Sequence, residues 1–467
     1  MSRRRWIIAG AATGLISLGA VAAARASDAP RLVTGFVAHT LCSATFVSDL
    51  SPDLTFNQTV EGLPGVSLIR WMIGYSVDRA RRQVTATVLG GVESRAIFRD
   101  GLGCMLDHGG PVDAALPPAR PFGAPLLASI AGPGLVAPQT SALATALSRA
   151  FAEPDGPPFR NTRAVVVLHR GRIIAERYAA GISLDTRLQG WSATKSVINA
   201  LVGILVRQGR LSVAGPLPIA AWRQPGDPRG AITLDHLMRH TSGLAMGQSL
   251  QSSLASATAP VNRMKFLAHD MAAVAMAAPL EFSPGTGWTY HDGNTILTGR
   301  LIRDAVGGHA ADVAAFARRE LFEPLGMASA LIEFDGTGTP EGSSQMFATA
   351  RDWARFGQLF LANGMAGGRR ILPEGWTDYS SRPTPAGWVG YGAGFWTNRG
   401  DSYGARHRRE VLGLPADAFQ ATGTFGQYVV IIPSRDLVVV RLGLSAANGD
   451  MEGLARLIRD VVGAVAP

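Results

Sequence analysis

Two side chains have the types and spacing to do chemistry: Ser192 and Lys195, in the run Gly190-Trp191-Ser192-Ala193-Thr194-Lys195-Ser196-Val197. Three-residue spacing at the start of an apolar helical run puts both on one face, the amine one turn above the hydroxyl. A serine becomes nucleophilic when a neighbouring base takes its proton. A lysine ordinarily keeps its proton up to about pH 10.4, and the positive end of a helix disfavours the ammonium form. The spacing therefore predicts a serine activated by a lysine of lowered proton affinity. A capping serine beside a solvated lysine is the ordinary alternative, and composition argues against it. Of 44 Lys+Arg, only Lys195 and Lys265 are lysine, and Asn262 stands three residues before Lys265, so the serine–lysine spacing occurs once.

A second candidate lies in Trp288-Thr289-Tyr290-His291-Asp292-Gly293-Asn294, after the turn Ser283-Pro284-Gly285. A tyrosine aimed at the serine–lysine pair could shuttle a proton between the attacking hydroxyl and the leaving group. Its phenolate would need the lysine's charge nearby. Read by itself, Tyr290 is equally a half-buried residue holding a loop. Two other patterns carry no chemistry. His236 and His240 have the spacing of a zinc helix but lack its glutamate, so no metal is expected. Gly190-Trp191-Ser192-Ala193-Thr194 lacks the second glycine of a nucleophile elbow, which argues against an α/β-hydrolase triad.

The elements that must position these residues follow from periodicity. Arg163–His169 and Arg172–Tyr178 flank Arg170-Gly171 as a hairpin. The active-site helix is expected over about 192–208, with further helices near 139–152, 233–240, 264–277, 294–306 and 349–363. Tyr428–Ile432 and Leu437–Leu442 read as antiparallel strands, and residues 450–464 as a helix with Leu454, Leu457, Ile458, Val461 and Val462 on one face. Hairpin first, helices in the middle, strands and a packing helix last imply an α/β (α+β) fold: an antiparallel sheet flanked by helices, with an all-helical insertion.

Ahead of that body, residues 31–108 alternate polar and apolar positions in short runs, and 27–115 are expected to form a small β-rich extension. A Pro/Gly-rich linker spans 116–138, and the hydrolase-sized domain 139–467. Residues 1–26 join Arg3-Arg4-Arg5, an apolar stretch from Trp6 to Ala23 and Ala24-Arg25-Ala26, the three parts of a secretory signal. Export to a periplasmic or extracellular space is the expectation, the segment being either cleaved or kept as an anchor. Cys42 and Cys104 are the only cysteines and fit an oxidising compartment as a disulfide, or else as two buried thiols. The bridge would close a loop of about 60 residues, contributing a few kcal/mol, roughly, by chain entropy. The net charge of +9 is spread thinly, without basic runs interleaved with aromatics, which excludes nucleic acid as a partner.

Ser192-x-x-Lys195 followed by Tyr290-x-Asp292 resembles the penicillin-recognising serine hydrolases, the β-lactamase-like superfamily that includes class C β-lactamases, D-alanyl-D-alanine carboxypeptidases and related esterases and amidases. Leu234–Leu244, Ala350–Leu359 and Pro433–Val440 look like the same group, so the resemblance covers about residues 140–467. Within it the chain looks closest to the 6-aminohexanoate-dimer hydrolase branch. The resemblance implies a β-lactamase/transpeptidase-like fold, no cofactor, and catalysis by Ser192, Lys195 and Tyr290. It also implies an oxyanion hole made by the Ser192 amide and one on the strand of Phe419–Tyr428, at Ala421 or Gln420. Two departures stand out. Asp292 replaces the usual asparagine, which could hold Lys195 protonated or move the substrate contact to Asn294. The third motif, Lys-Thr/Ser-Gly, is missing, because no lysine follows Lys265.

The sequence thus predicts an exported serine hydrolase that cleaves a small-molecule amide or ester, peptidoglycan-derived compounds included, through an acyl-serine. The alternatives are a D-Ala-D-Ala carboxypeptidase or weak β-lactamase and, from another class, an inactive module that binds cell-wall peptide. Nothing in the sequence bears on oligomeric state.

Overall fold

The computed structural model describes residues 28–465 apart from 62–66, 90, 119, 248–257 and 447–448. The signal-like residues 1–26 lie outside the described residues. Six antiparallel strands form the central sheet, in the spatial order Trp396–Thr397, Phe419–Gly423, Gln427–Ile432, Leu437–Gly443, Thr162–His169, Arg172–Tyr178. The first hairpin of the body and the last are neighbours, with Val439 opposite Val167 and Val440 opposite Val166. Such a sheet closes only when the end of the chain docks beside its beginning.

Helices cover both faces, and the strands are accordingly unbroken apolar runs such as Val165-Val166-Val167-Leu168. Val166, Leu168, Val438 and Val440 share a core with the helices Thr194–Arg207 and Ala350–Leu361. Val165, Val167, Val430 and Val439 turn the other way, onto Leu143 and Leu147 of Ser141–Phe151 and onto Leu454, Leu457 and Ile458 of Met451–Ala464. The helical part between the sheet-forming ends includes Leu234–Arg239, Pro260–Leu267, Met271–Ala277 and Asp292–Val306. One helix was expected near 264–277; two are found, because the Asp270 side chain accepts from the Ala273 amide and starts a second helix.

The N-terminal extension differs from its expected β-rich character. Residues 28–46 and Pro52–Glu61 are helical, and among the described residues of the extension strands occupy only the stretch from Ile73 to Leu106, as a four-stranded antiparallel sheet. Leu32, Phe36, Val37 and Leu41 recur at helical spacing and bury against Val84, Ala86 and Val88, the inward positions of one strand. Cys42 of the helix is disulfide-bonded to Cys104 of the last strand. The extension is not a separate body: its core also takes in Trp191, Phe266, Phe425 and Leu444. The linker is pinned down as well, by backbone bonds such as Leu126 N to Pro324 O at 2.8 Å and Ile173 N to Ile130 O at 2.8 Å.

Candidate active site

Ser192 sits in the tight turn Trp191–Ala193 that leads directly into the helix Thr194–Arg207. Trp191, just before it, has φ +47°, a left-handed conformation that costs a bulky residue on the order of 1–3 kcal/mol. Packing offsets that cost: its indole lies 5.0 Å from the Phe425 ring and 6.5 Å from Phe36 of the extension, centroid to centroid. The turn is gripped from one segment, with Gly190 N donating to Met346 O at 2.8 Å and Met346 N to Thr194 Oγ1 at 3.2 Å. Gly190 and Gly423 are obligatory here. A Cβ on Gly190 would strike the Trp353 ring, and one on Gly423 would strike the Gly190 carbonyl.

Lys195 is 3 % exposed, and its Nζ lies 3.1 Å from Ser192 Oγ, 2.6 Å from Asp292 Oδ1 and 2.9 Å from the Ser343 carbonyl oxygen. An ammonium has three protons, and these three oxygens receive them. The Tyr290 ring is also in contact, its centroid 4.9 Å from Nζ. Asp292 is the first residue of the helix Asp292–Val306, where the helix end favours a carboxylate. Its second oxygen, Oδ2, accepts from Lys265 Nζ at 3.0 Å, and Lys265 also donates to Ser344 Oγ at 2.8 Å. Both lysines of the chain therefore meet on one buried carboxylate.

The electrostatics correct the expectation of a lysine with lowered proton affinity. Burial is the largest influence on Lys195 and acts to lower its pKa, but the Asp292 carboxylate and Tyr290 outweigh it and the pKa is raised. Burial likewise acts to raise the pKa of Asp292, and the two ammonium groups hold it far below the usual carboxylate range. Lys195 thus donates to the serine and is not poised to accept its proton. The nearby histidines are uncharged: burial, above all, pushes His240 well below its ordinary value and His291 down to about 4.

Of the other residues singled out by sequence, Asn294 does not join the serine. It is fully buried, its Oδ1 accepting from Ser242 Oγ at 2.6 Å and its amide nitrogen 3.2 Å from His240 Nδ1. Two residues into its helix, it turns onto a buried face, where a substrate cannot reach it. Gln420 is paired on both sides, with Val430 and with Trp396, so its amide stands inside the sheet. Ala421 pairs with Val429 on one side only, and among the described residues the outer edge of this strand beyond Gln420 has no strand partner. The part of the strand that abuts the nucleophile turn is Gly423.

Sequence reasoning passed over three features. Lys265 is one, although the scarcity of lysine was a signal that both deserved the same attention. Ser343 and Ser344 are another, a turn with no motif of its own. The third is an aromatic wall beside Tyr290: the ring centroids of His240, Tyr391 and Trp396 lie 4.5, 5.7 and 5.7 Å from its own, and Trp288 lies 6.2 Å away.

The fold and the serine–lysine–tyrosine cluster define the beta-lactamase class of serine hydrolases. Residues 159–463 match the Beta-lactamase family, and the chain belongs to it. It is 26% identical over 233 residues to the 6-aminohexanoate-dimer hydrolase of Paenarthrobacter ureafaciens, covering 46% of this chain and 56% of that one. It is 29% identical over 174 residues to the esterase EstB of Burkholderia gladioli, covering 35% and 43%. The match thus spans about half the length of each of these two relatives. A penicillin-binding protein homologue from Caulobacter crescentus has the same fold, with a TM-score of 0.53 at 20% identity, over 71% of this chain and 99% of that one.

Proposed function

We propose that the protein hydrolyses a neutral ester or amide through an acyl intermediate on Ser192. The observation that carries the reading is the Lys195 ammonium 3.1 Å from the Ser192 hydroxyl, with Tyr290 against the same amine. Ser192 Oγ attacks the carbonyl carbon and its proton passes to Tyr290, while Lys195 stays charged and stabilises both the phenolate and the developing alkoxide. The carbonyl oxygen takes hydrogen bonds from the Ser192 amide and from an amide on the unpaired edge beyond Gln420. Losing one such donor typically costs about 10²–10³ in rate. As the bond to the leaving group breaks, Tyr290 returns the proton to it. Water, deprotonated along the same route, then releases the acid and restores Ser192.

A neutral acyl group is favoured for two reasons. Both lysines are buried and committed to Asp292, so neither can bind a substrate carboxylate. Trp288 and Trp396, partly buried beside Tyr290, offer apolar, flat contact surface to the acyl chain. The proposal includes export, in line with the basic, apolar and small-residue order of residues 1–26 and the Cys42–Cys104 disulfide.

A panel of p-nitrophenyl butyrate, short linear amide dimers, nitrocefin and D-Ala-D-Ala peptides tests this. Turnover of the ester or the amide dimers well above that of the other two is expected. Faster turnover of nitrocefin or of the D-Ala-D-Ala peptides would overturn the neutral-substrate reading.

A further inference from the structure

We infer that Lys265 is a positioning residue that sets the protonation range of Lys195 through the carboxylate they share, Asp292. The inference rests on the proposed role of Lys195 as a charged partner of Ser192. The geometry is a closed chain of contacts: Ser192 Oγ to Lys195 Nζ at 3.1 Å, Lys195 Nζ to Asp292 Oδ1 at 2.6 Å, Asp292 Oδ2 to Lys265 Nζ at 3.0 Å, Lys265 Nζ to Ser344 Oγ at 2.8 Å. All three charged residues are at most 3 % exposed, so water screens their interactions poorly.

The charges explain why the second lysine is needed. In the motif that this segment resembles, an uncharged asparagine stands at the position of Asp292. Here a carboxylate adds one negative charge beside Lys195 and Lys265 adds one positive charge behind it. Asp292 and Lys265 together are electrically neutral, as an amide would be. A buried carboxylate left to Lys195 alone would hold that ammonium far more tightly, and breaking one side of a buried ion pair is strongly unfavourable. Lys265 is fixed for the purpose. Its helix, Pro260–Leu267, packs Phe266 against Phe36 of the extension, ring centroids 5.8 Å apart.

Other titratable groups surround the cluster and must be separated from it. Tyr290 lies on the open side, and Tyr391, with a pKa raised well above its ordinary value mainly by burial, lies behind Tyr290. His291, pushed down to about 4, and His240, pushed well below its ordinary value, both chiefly by burial, stay neutral across the pH range of the test. Behind Lys265 are Glu341, pushed up to about 7 chiefly by burial, and His39, raised to about 9 by Glu341 and Glu333 against the effect of burial. Glu341 and His39 also feel the Lys265 charge, so the shared carboxylate is isolated by comparing removal of Lys265 with and without Asp292 in place.

The test is the pH dependence of Ser192 modification by a fluorophosphonate, followed from pH 6 to 12 in the full-length protein because Lys195 already titrates above the ordinary lysine value. Lys265→Met leaves Asp292 to Lys195 alone, so the alkaline limb should move up by about one pH unit or more. Asp292→Asn removes the carboxylate and leaves two ammonium groups facing each other, so the limb should move down by a similar amount. The double variant restores neutrality and should return the limb towards that of the parent. Opposite shifts that cancel are not what loss of packing produces. Limbs that stay within about 0.3 pH unit of the parent in both single variants, or that shift the same way, would overturn the inference. If Lys265→Met does not fold by itself, the comparison of Asp292→Asn with the double variant decides it: removing the Lys265 charge there should move the limb up, and an unchanged limb would overturn the inference. Absence of any labelling at Ser192 in the folded parent is a separate result, and it overturns the functional reading itself.

Discussion

Two buried charge clusters hang from one segment of the chain, residues 333–346, and they differ in a single respect. At one end Glu333, fully buried, accepts from Ser43 Oγ at 2.8 Å and from the Cys104 amide at 2.8 Å, with His39 Nε2 3.0 Å away. At the other end the Ser343 carbonyl and the Ser344 hydroxyl hold Lys195 and Lys265 against Asp292. The first cluster is sealed beneath the extension and its disulfide. The second has an open side, because Ser192 is only partly buried. Buried carboxylates with several donors give both clusters rigidity, and the partly buried Ser192 hydroxyl gives one of them chemistry. The shared segment makes the extension a buttress of the nucleophile turn, as the packing of Phe36 on Trp191 also indicates.

Substitutions on either side break this comparison in different ways. The largest effects belong to the open cluster. Ser192→Ala should lower ester turnover by at least about 10³-fold with an unchanged melting temperature, and Lys195→Ala should follow it closely, since groups that act as a unit fail together. Next comes the sealed cluster. Glu333→Ala leaves the His39 ring and the Cys104 amide without their acceptor and should cost roughly 3–5 kcal/mol of stability in denaturant melts. The folded fraction should still label at Ser192. A stable Glu333→Ala protein, or one that is fully folded and inert, would show that the two clusters are not divided as described.

The smallest effect sharpens the same division through pH. His39 is raised to about 9 in the folded chain against about 6.5 when unfolded. Its contribution is therefore complete below about pH 6.5 and is lost as pH rises towards 9. The parent should lose a few degrees, about 2–4 °C, of melting temperature across that window. His39→Gln should flatten the slope, and an equal slope in both proteins would remove His39 as its source.

How much of this was legible in the sequence follows from the range of each signal. Ser192 and Lys195 are three residues apart in an apolar helical run, so local periodicity alone juxtaposes them. The sheet flanked by helices was readable from the order of the elements, a hairpin first and two strands with a packing helix last. The helix over 28–46 was not: Phe36, Leu41 and their neighbours fit helical spacing, but the short runs around them mimic alternation. Lys265 reaches Asp292 only through tertiary packing of two helices, which no spacing encodes. The register that buries Gln420 between two strands and leaves the edge beyond it unpaired is likewise a property of the assembled sheet.

Intact-mass and peptide mapping after exposure of the folded, full-length chain to a fluorophosphonate bears most directly on the central claim. One adduct per chain, located on Ser192 and absent from Ser192→Ala, is the predicted result. A folded parent with no adduct, or with its adduct on another residue, would contradict the account.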